Sequence, residues 1–447
     1  MKQSLQQRGC LLCCALISAA SLFAQAPAET ATGIPTKVAR VSVDPSRPGE
    51  PISPYIYGQF IEHLGRCIYG GIWAEMLEDR KFHFPVPAEG DVWRLTREQA
   101  RVLAASPWKV IGPNEPVRMV AEEAFTGRHS PHLTAPGDGS RVGIYQEELG
   151  LLRDRAYTGY IILAGDADVG PVTVSLEWGR GDSERQTHLI RRVGPNFRKA
   201  AFHLTSGADT DNGRLVITVS GAGTLRIGCV SLMPADHVEG FRKDTLDLLK
   251  QLNAPVYRWP GGNFVSGYDW RDGLGNRDRR PTRTNPAWTG IEPNDVGLDE
   301  FVRLCELIGA EPMIAVNSGF GDAYSAAAEV EYANGSPDTP MGRIRAGNGH
   351  PEPHRVKWWC VGNEMYGRWQ LGYMQLNHYV LKHNWIETKM REIDPAIRTV
   401  GVGNVGNWTQ GMLENCADHM NLISEHFYCQ RSDGQCDRLH QDDQNSG

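Results

Sequence analysis

The sequence has no long run of lysine and arginine and no excess of positive charge. Its 46 Lys and Arg residues are outnumbered by 53 Asp and Glu residues, and the formal net charge is -7. Binding to a nucleic-acid backbone depends on clustered positive charge, so we expect no nucleic-acid partner and a neutral substrate. The length of 447 residues and the 40% hydrophobic content predict a globular protein with two or three cores.

The sequence also has little that resembles a membrane span. The apolar stretch 9–24 follows Lys2 and Arg8 and is too short and too poorly flanked for a membrane anchor. Residues 24–26, Ala-Gln-Ala, offer a small-residue cleavage site. We therefore predict a signal peptide over residues 1–26, a secreted or periplasmic protein and no membrane partner. A buried N-terminal helix is the alternative.

Cysteines with metal-site spacing are lacking as well. Three of the ten cysteines fall within the predicted signal peptide, and the other seven show no CxxC pair and no histidine spacing typical of zinc. We predict no metal and no cofactor. Cys305 and Cys360 lie in apolar helix and strand patterns, which predicts buried free thiols. A disulfide between Cys429 and Cys436 is a further alternative that the sequence does not decide.

Two kinds of periodicity divide the chain. A linker and leading strand at 27–50 precede residues 51–103, which we assign to the first part of a catalytic barrel. Within 104–235, alternating runs are separated by Gly, Asp and Asn, which predicts an inserted all-β sandwich. The clearest of these runs are 172–176, 200–204 and 214–219.

Helix and strand patterns alternate along 236–428. Such βα repeats predict a parallel sheet with right-handed crossovers. Six strands are predicted, at 55–61, 254–259, 311–317, 356–364, 398–403 and 421–428. The predicted fold class is therefore α/β, an incomplete (β/α)8 TIM barrel with an inserted sandwich; an open doubly wound sheet is the alternative. Residues 429–447 are polar and without period, so we interpret the chain as a fragment.

Polar residues concentrate where the predicted barrel strands end, which is where active sites of such barrels lie. Alternation along 356–364 directs Glu364 toward the barrel mouth. Burial among Trp359, Tyr366 and Trp369 would raise the pKa of Glu364, so that it keeps the proton a general acid needs. A glutamate that caps a helix or pairs with Arg368 is the alternative.

Four long segments occur in the chain in a familiar order: YGQFIEHLG (57–65), RWPGGNFVSGY (258–268), EPNDVGLDEF (292–301) and WCVGNEM (359–365). They closely resemble family 51 glycoside hydrolases, chiefly α-L-arabinofuranosidases. The resemblance covers about 51–84 and 238–428, and the inserted sandwich is similar to a carbohydrate-binding module. It implies removal of non-reducing terminal α-L-arabinofuranosyl groups from arabinoxylan, arabinan or derived oligosaccharides.

The resemblance also implies roles for individual residues. In this family the general acid/base glutamate ends the fourth strand, which matches Glu364, and the nucleophile glutamate ends the seventh. Asn363 is implied to bond the sugar 2-hydroxyl. The residues implied to line the pocket for the arabinofuranosyl ring are Glu62, Arg258, Asn263, Trp288, Asn363, His426 and Tyr428.

The chain departs from the family pattern at its C-terminal end. No Glu follows Tyr428, so we expect the nucleophile to be absent from this sequence and the chain itself to be inactive, because a retaining mechanism needs two carboxyl groups. Glu425 is expected to turn away from the pocket if His426 faces it.

His63 and Asn317 are left out of the predicted site, because helix capping or loop hydrogen bonding explains them equally well. Two other functions stay open: a barrel endo-glucanase or xylanase, and a non-catalytic polysaccharide-binding fragment. The oligomeric state is open too, with a homo-oligomer of the full-length form as one alternative.

Overall fold

The computed structural model describes residues 42–86, 94–97, 100–103 and 105–426. The chain forms two compact units: Met1–Pro51 with Gln430–Arg438, and Ile52–Cys429 with Leu439–Gly447. The predicted signal peptide, the tail at 429–447 and its two cysteines lie outside the described residues. In the first unit, residues 42–51 contain turns and bends but neither helix nor strand. Every helix and strand given below belongs to the second unit.

Antiparallel strands make up most of the first half of the second unit. A short strand, β1 (Gln59–Phe60), comes first, and β2 (Arg94–Arg97) pairs with β3 (Ala100–Leu103). The strands that follow are β4 (Lys109–Ile111), β5 (Val117–Val120), β6 (Ser130–Pro136), β7 (Val142–Leu151), β8 (Ala156–Gly165), β9 (Val172–Glu177), β10 (Arg185–Ile190), β11 (Arg198–Thr205), β12 (Thr210–Val219) and β13 (Ala222–Pro234).

Strands β4 to β13 form two five-stranded sheets, with the orders β10-β9-β12-β7-β4 and β11-β8-β13-β6-β5. Along β11, Ala200, Phe202 and Leu204 are buried while the residues between them are exposed, as expected for a strand with one face toward a core. Side chains from both sheets, Ile217 and Leu232 among them, share one hydrophobic core. Burial of each such side chain contributes about 1.5–3 kcal/mol.

The second half of the unit alternates helices with short parallel strands. Its elements are α1 (Lys243–Leu252), β14 (Val256–Trp259), β15 (Arg283–Thr284), β16 (Ile291–Glu292), α2 (Leu298–Ile308), β17 (Glu311–Ala315), α3 (Ala323–Asn334), α4 (Pro340–Gly347), β18 (Trp358–Cys360), α5 (Leu376–Ile393), β19 (Arg398–Val402), α6 (Asn407–Cys416) and β20 (Leu422–Ser424). Strands β15 and β16 form a small antiparallel pair.

The parallel sheet has the order β1-β14-β17-β18-β19-β20. All six strands predicted from the sequence are present in this sheet, and each neighbouring pair is parallel. Each strand is shorter than predicted, and the first and fourth strands show why. Residues 54–57 form a 3-10 helix that starts at Pro54, so the first strand keeps two residues, and β18 ends at Cys360 rather than at Glu364.

The helices pack on the sheet through apolar faces. Phe301 of α2 stacks on Trp259 of β14, with ring centroids 5.3 Å apart. Helix α2 is capped at its C-terminal end by Gly309, whose φ of 76° is the left-handed conformation that glycine adopts without strain. The prediction of buried free thiols at Cys305 and Cys360 is confirmed. Burial raises the pKa of both thiols, which keeps them protonated and unreactive.

Buried hydrogen bonds connect the loop that follows β14 to Arg80 and to the two-sheet region. Arg80 donates to Asp295 at 2.6 Å and to Asp278 at 3.0 Å. Tyr160 of β8 donates to the same Asp278 carboxylate at 2.6 Å. These bonds fix the segment 278–295, which contains Trp288. Within the described residues, no helix combines the length and the apolar character needed to cross a membrane.

Candidate active site

The candidate site lies where strands of the parallel sheet end. Glu62 follows β1, Asn263 follows β14, Glu364 follows β18 and His426 follows β20. Carboxyl ends of parallel strands meet at one edge of the sheet, which is the edge where α/β barrels place their active sites.

Glu364 is buried, and its carboxylate is held by two ring nitrogens. One oxygen, Oε1, lies 2.7 Å from His426 Nδ1, and the other, Oε2, accepts a hydrogen bond of 2.7 Å from Trp369 Nε1. The Tyr366 hydroxyl approaches Oε1 at 3.5 Å. The carboxyl group therefore sits among aromatic rings with both oxygens oriented by the protein.

Period-two alternation along 356–364, which was expected to orient Glu364, does not extend to this residue. Two of the predicted neighbours, Tyr366 and Trp369, do lie beside it. Gly362 has a φ of 92° and Glu364 a φ of 42°, so the backbone leaves the extended conformation and period-two alternation does not apply. Trp359 was also expected beside Glu364. Its indole instead donates to the Val356 carbonyl at 3.0 Å inside the core, so it does not belong to the group around the carboxylate.

Asn363 is the centre of a chain of amide hydrogen bonds. Arg258 Nη2 donates to Asn363 Oδ1 at 2.8 Å, and Asn363 Nδ2 donates to Gln370 Oε1 at 3.1 Å. Gln370 Nε2 in turn donates to Ser266 Oγ at 2.5 Å. The buried Gln370 thus orients the asparagine beside Glu364. Sequence reasoning missed Gln370, and no local pattern marks it, because its partners lie up to 108 positions away.

Glu62 is buried in the first loop of the site. Its Oε1 accepts hydrogen bonds from the Phe264 backbone N–H at 3.0 Å and from Trp288 Nε1 at 2.9 Å. Gly261, with a φ of 146°, passes so close that a Cβ there would lie 2.2 Å from Glu62 Cγ. A Cβ on Gly262 would lie 3.4 Å from Asn363 Nδ2 and 3.5 Å from Glu62 Oε2. Gly261 therefore allows the close approach of Glu62, and Glu62 and Asn363 both lie beside this turn.

Six of the eight predicted site residues thus come together: Glu62, Arg258, Trp288, Asn363, Glu364 and His426. Asn263 begins the 3-10 helix Asn263–Gly267, between Gly262 and the Phe264 N–H that binds Glu62. Tyr428 lies outside the described residues.

The residues left out of the predicted site have other partners. Asn317 Oδ1 accepts from the backbone N–H groups of Gly319 and Gly321, which is the loop hydrogen bonding considered for it. Both ring nitrogens of His63 are paired with Glu292 and Trp259. Glu425 is exposed and accepts a hydrogen bond from the Thr409 hydroxyl, so it faces away from the Glu364 carboxylate, as expected.

Comparison with known proteins shows what the barrel part of the chain is similar to. A family model described as "Alpha-L-arabinofuranosidase 1 domain" matches residues 248–446. A probable alpha-L-arabinofuranosidase C of Aspergillus fumigatus is 42% identical over 186 residues, which are 41% of this chain and 37% of that protein. An intracellular exo-alpha-(1->5)-L-arabinofuranosidase of Acetivibrio thermocellus is 40% identical over 197 residues, 42% of this chain and 39% of the relative. The chain therefore spans less than two fifths of the length of these relatives.

Among solved structures, the arabinose-bound MgGH51 α-L-arabinofuranosidase is similar with a TM-score of 0.63 at 22% identity. The match covers 78% of this chain and 59% of that one. This likeness supports a TIM-barrel-like α/β fold for the parallel sheet and its helices.

Proposed function

We propose that this chain serves a retaining glycoside hydrolase of the family 51 type, because residues 248–446 match the "Alpha-L-arabinofuranosidase 1 domain" model and a probable alpha-L-arabinofuranosidase C is 42% identical over 186 residues. The proposed reaction releases non-reducing terminal α-L-arabinofuranosyl groups from arabinoxylan, arabinan or their oligosaccharides. The observation that supports it best is the buried Glu364 carboxyl, oriented by His426 and Trp369 beside Asn363.

Glu364 is the proposed general acid/base. In the first step its proton passes to the glycosidic oxygen while the bond from that oxygen to C1 breaks, and a carboxylate on the opposite face attacks C1. In the second step Glu364 takes a proton from water, which attacks C1 while the bond from C1 to the attacking carboxylate breaks, so that arabinose is released and that carboxylate is restored. A carboxyl held by the ring nitrogens of His426 and Trp369 loses little orientation on substrate binding, which favours both proton transfers.

The remaining predicted residues are proposed to bind the sugar. The hydroxyls of a furanosyl ring need fixed donors and acceptors, and Asn363 with Arg258 and Glu62 with Trp288 form two such pairs. Asn363 is proposed to bond the 2-hydroxyl, with Asn263, His426 and Tyr428 completing the pocket. Trp288 is proposed to form part of its wall.

The nucleophile is the second part of the proposal. Of the carboxylates at the described strand ends, Glu62 is bound by Trp288 and a backbone N–H, and Glu425 faces Thr409. A retaining pair has its carboxyl groups about 5–5.5 Å apart on opposite faces of the sugar. We therefore propose that Glu364 is the acid/base and that neither Glu62 nor Glu425 is the nucleophile, so that turnover by the described residues needs an added nucleophile.

Azide provides the test, because a small anion can replace a missing nucleophile. The 447-residue chain is incubated with 4-nitrophenyl α-L-arabinofuranoside with and without azide. We expect 4-nitrophenol release only with azide, together with an arabinofuranosyl azide of inverted configuration. Release without azide would show that the chain contains its own nucleophile. Failure with azide together with hydrolysis of polymeric glucan would favour an endo-hydrolase instead.

Two further proposals concern the other parts of the chain. The two-sheet region, residues 104–235, is proposed to be a carbohydrate-binding β-sandwich. Affinity gel electrophoresis tests this: retardation by arabinoxylan is expected, and unaltered migration would contradict it.

Residues 1–26 are proposed to direct export to the periplasm or medium. N-terminal sequencing of the exported protein tests that cleavage.

A further inference from the structure

Three side chains outside the candidate active site converge on one point. Asp299 lies in the first turn of α2, and His350 and His354 lie in the segment between α4 and β18. One ligand atom from each residue lies within 4.8 Å of the other two. Aspartate oxygen and imidazole nitrogen are ligands that zinc accepts in proteins.

The Asp299 carboxylate is the centre of the group. Its Oδ1 lies 2.8 Å from His354 Nε2, and its Oδ2 accepts a hydrogen bond of 2.7 Å from the Tyr332 hydroxyl. The two carboxylate oxygens are thus each oriented by a neighbouring ring group.

His350 distinguishes this group from an ordinary aspartate–histidine hydrogen bond. Its Nε2 lies 3.9 Å from Asp299 Oδ2, which is too long for a hydrogen bond. The bond between His354 and Asp299 alone would fix the segment to α2 and does not require a second imidazole directed at the same carboxylate.

We propose that Asp299, His350 and His354 bind one Zn²⁺ ion, with water as the fourth ligand. Tetrahedral zinc with bonds near 2.0–2.1 Å separates its ligand atoms by about 3.3 Å. The largest adjustment falls on His350, because its Nε2 lies 3.9 Å from Asp299 Oδ2, beyond that separation. Its side chain is 40% exposed, so this movement meets little resistance.

The surroundings fit a metal site in a second way. Metal ligands are commonly oriented by a further layer of hydrogen bonds. Tyr332 donates to Asp299, and Asn348 Nδ2 donates to the Tyr332 hydroxyl at 3.0 Å. The ion would join the first turn of α2 to the segment that leads into β18, and hence to Asn363 and Glu364. No metal was expected from the sequence because the cysteines lack metal-site spacing, and Asp299 lies 55 positions from His354, so no local pattern joins them.

Zinc titration of the chelator-dialysed 447-residue chain tests the proposal independently of any hydrolytic activity. We expect one zinc ion per chain at this site by calorimetry, a zinc-dependent rise in Tm, and two imidazole nitrogens in the zinc X-ray absorption spectrum. Magnesium should produce no such rise, since it prefers oxygen ligands.

Variants locate the ion. His350→Ala removes an exposed side chain and should leave the fold intact while weakening zinc binding by at least about 10-fold. Asp299→Asn should weaken binding similarly, and His378→Ala, an exposed histidine of α5, should not. Absence of zinc binding, or zinc binding unchanged in His350→Ala, would overturn the proposal.

Discussion

Two histidine–glutamate pairs lie in the loops at the ends of the parallel strands. They have the same nitrogen-to-oxygen distance but different surroundings. His426 Nδ1 lies 2.7 Å from Glu364, and His63 Nδ1 lies 2.7 Å from Glu292. The His426 side chain is 25% exposed, whereas His63 is fully enclosed. Pair geometry alone therefore does not distinguish a candidate catalytic group from a structural one.

The neighbours of each pair account for the difference. The His63 ring stacks on Phe264 at 4.6 Å, and its Nε2 accepts a hydrogen bond from Trp259. Glu292 also accepts a bond from the Asn294 backbone N–H. The Glu364 pair is bounded instead by Trp369, which is 60% exposed. The proposed catalytic pair thus differs from the structural pair in two ways: solvent can reach it, and the amide of Asn363 lies beside it.

Removal of Glu364 should produce the largest effect on the reaction. Glu364→Ala should lower azide-supported cleavage of a substrate with a poor leaving group by about 10²–10⁴-fold, because general acid catalysis is lost. The measurement is the initial rate of aglycone release. Glu425→Ala, an exposed carboxylate at the end of β20, is the matched control. An equal loss in both variants would remove Glu364 from the acid role.

Removal of Glu292 should affect stability instead. Glu292→Ala leaves the enclosed His63 without its partner, and breaking such a pair costs about 3–5 kcal/mol. Urea unfolding measures the free energy of unfolding, with the exposed Glu414→Ala as control, expected within about 0.5 kcal/mol of the unaltered chain. A loss no larger than that of the control would contradict the structural role.

Gly261→Ala tests the close approach beneath Glu62. The new Cβ would lie 2.2 Å from Glu62 Cγ at a φ of 146°, so we expect a loss of about 1–3 kcal/mol in the free energy of unfolding. Gly194→Ala is the control, since no atom lies within 4 Å of its Cβ position. Equal stability of the two variants would show that the turn adjusts freely.

Gln370→Ala should give the smallest effect. Loss of its hydrogen bonds to Asn363 and Ser266 should reduce arabinose affinity by about 1 kcal/mol, or roughly fivefold, because Asn363 is no longer oriented. Calorimetric titration with arabinose measures the change, and Gln410→Ala on α6 is the control. Unchanged affinity would show that Arg258 alone orients Asn363.

Much of the barrel could be predicted from the sequence because each strand and helix has its own apolar period. The six parallel strands followed from that pattern. Their lengths did not, because the chain leaves the extended conformation at Gly362 and Glu364 through positive φ values. Helix α4 was not predicted. It starts at Pro340 with Thr339 as its cap, and its eight residues are too few to display an amphipathic period.

The candidate site was predictable only in part. Strand ends and the family resemblance indicated Glu62, Arg258, Asn363 and Glu364. The contribution of Gln370 depends on contacts across loops distant in sequence, which no local pattern reports. The enclosure of His63 likewise becomes visible only when Phe264 and Trp259 are placed around it.

The position of a bound sugar tests the central claim most directly. A crystal of the 447-residue chain soaked with an arabinofuranosyl oligosaccharide should show the glycosidic oxygen within hydrogen-bond distance of the Glu364 carboxyl and a ring hydroxyl on Asn363. A sugar bound with no contact to Glu364, or a Glu364 side chain directed away from Arg258, Asn363 and His426, would contradict the account.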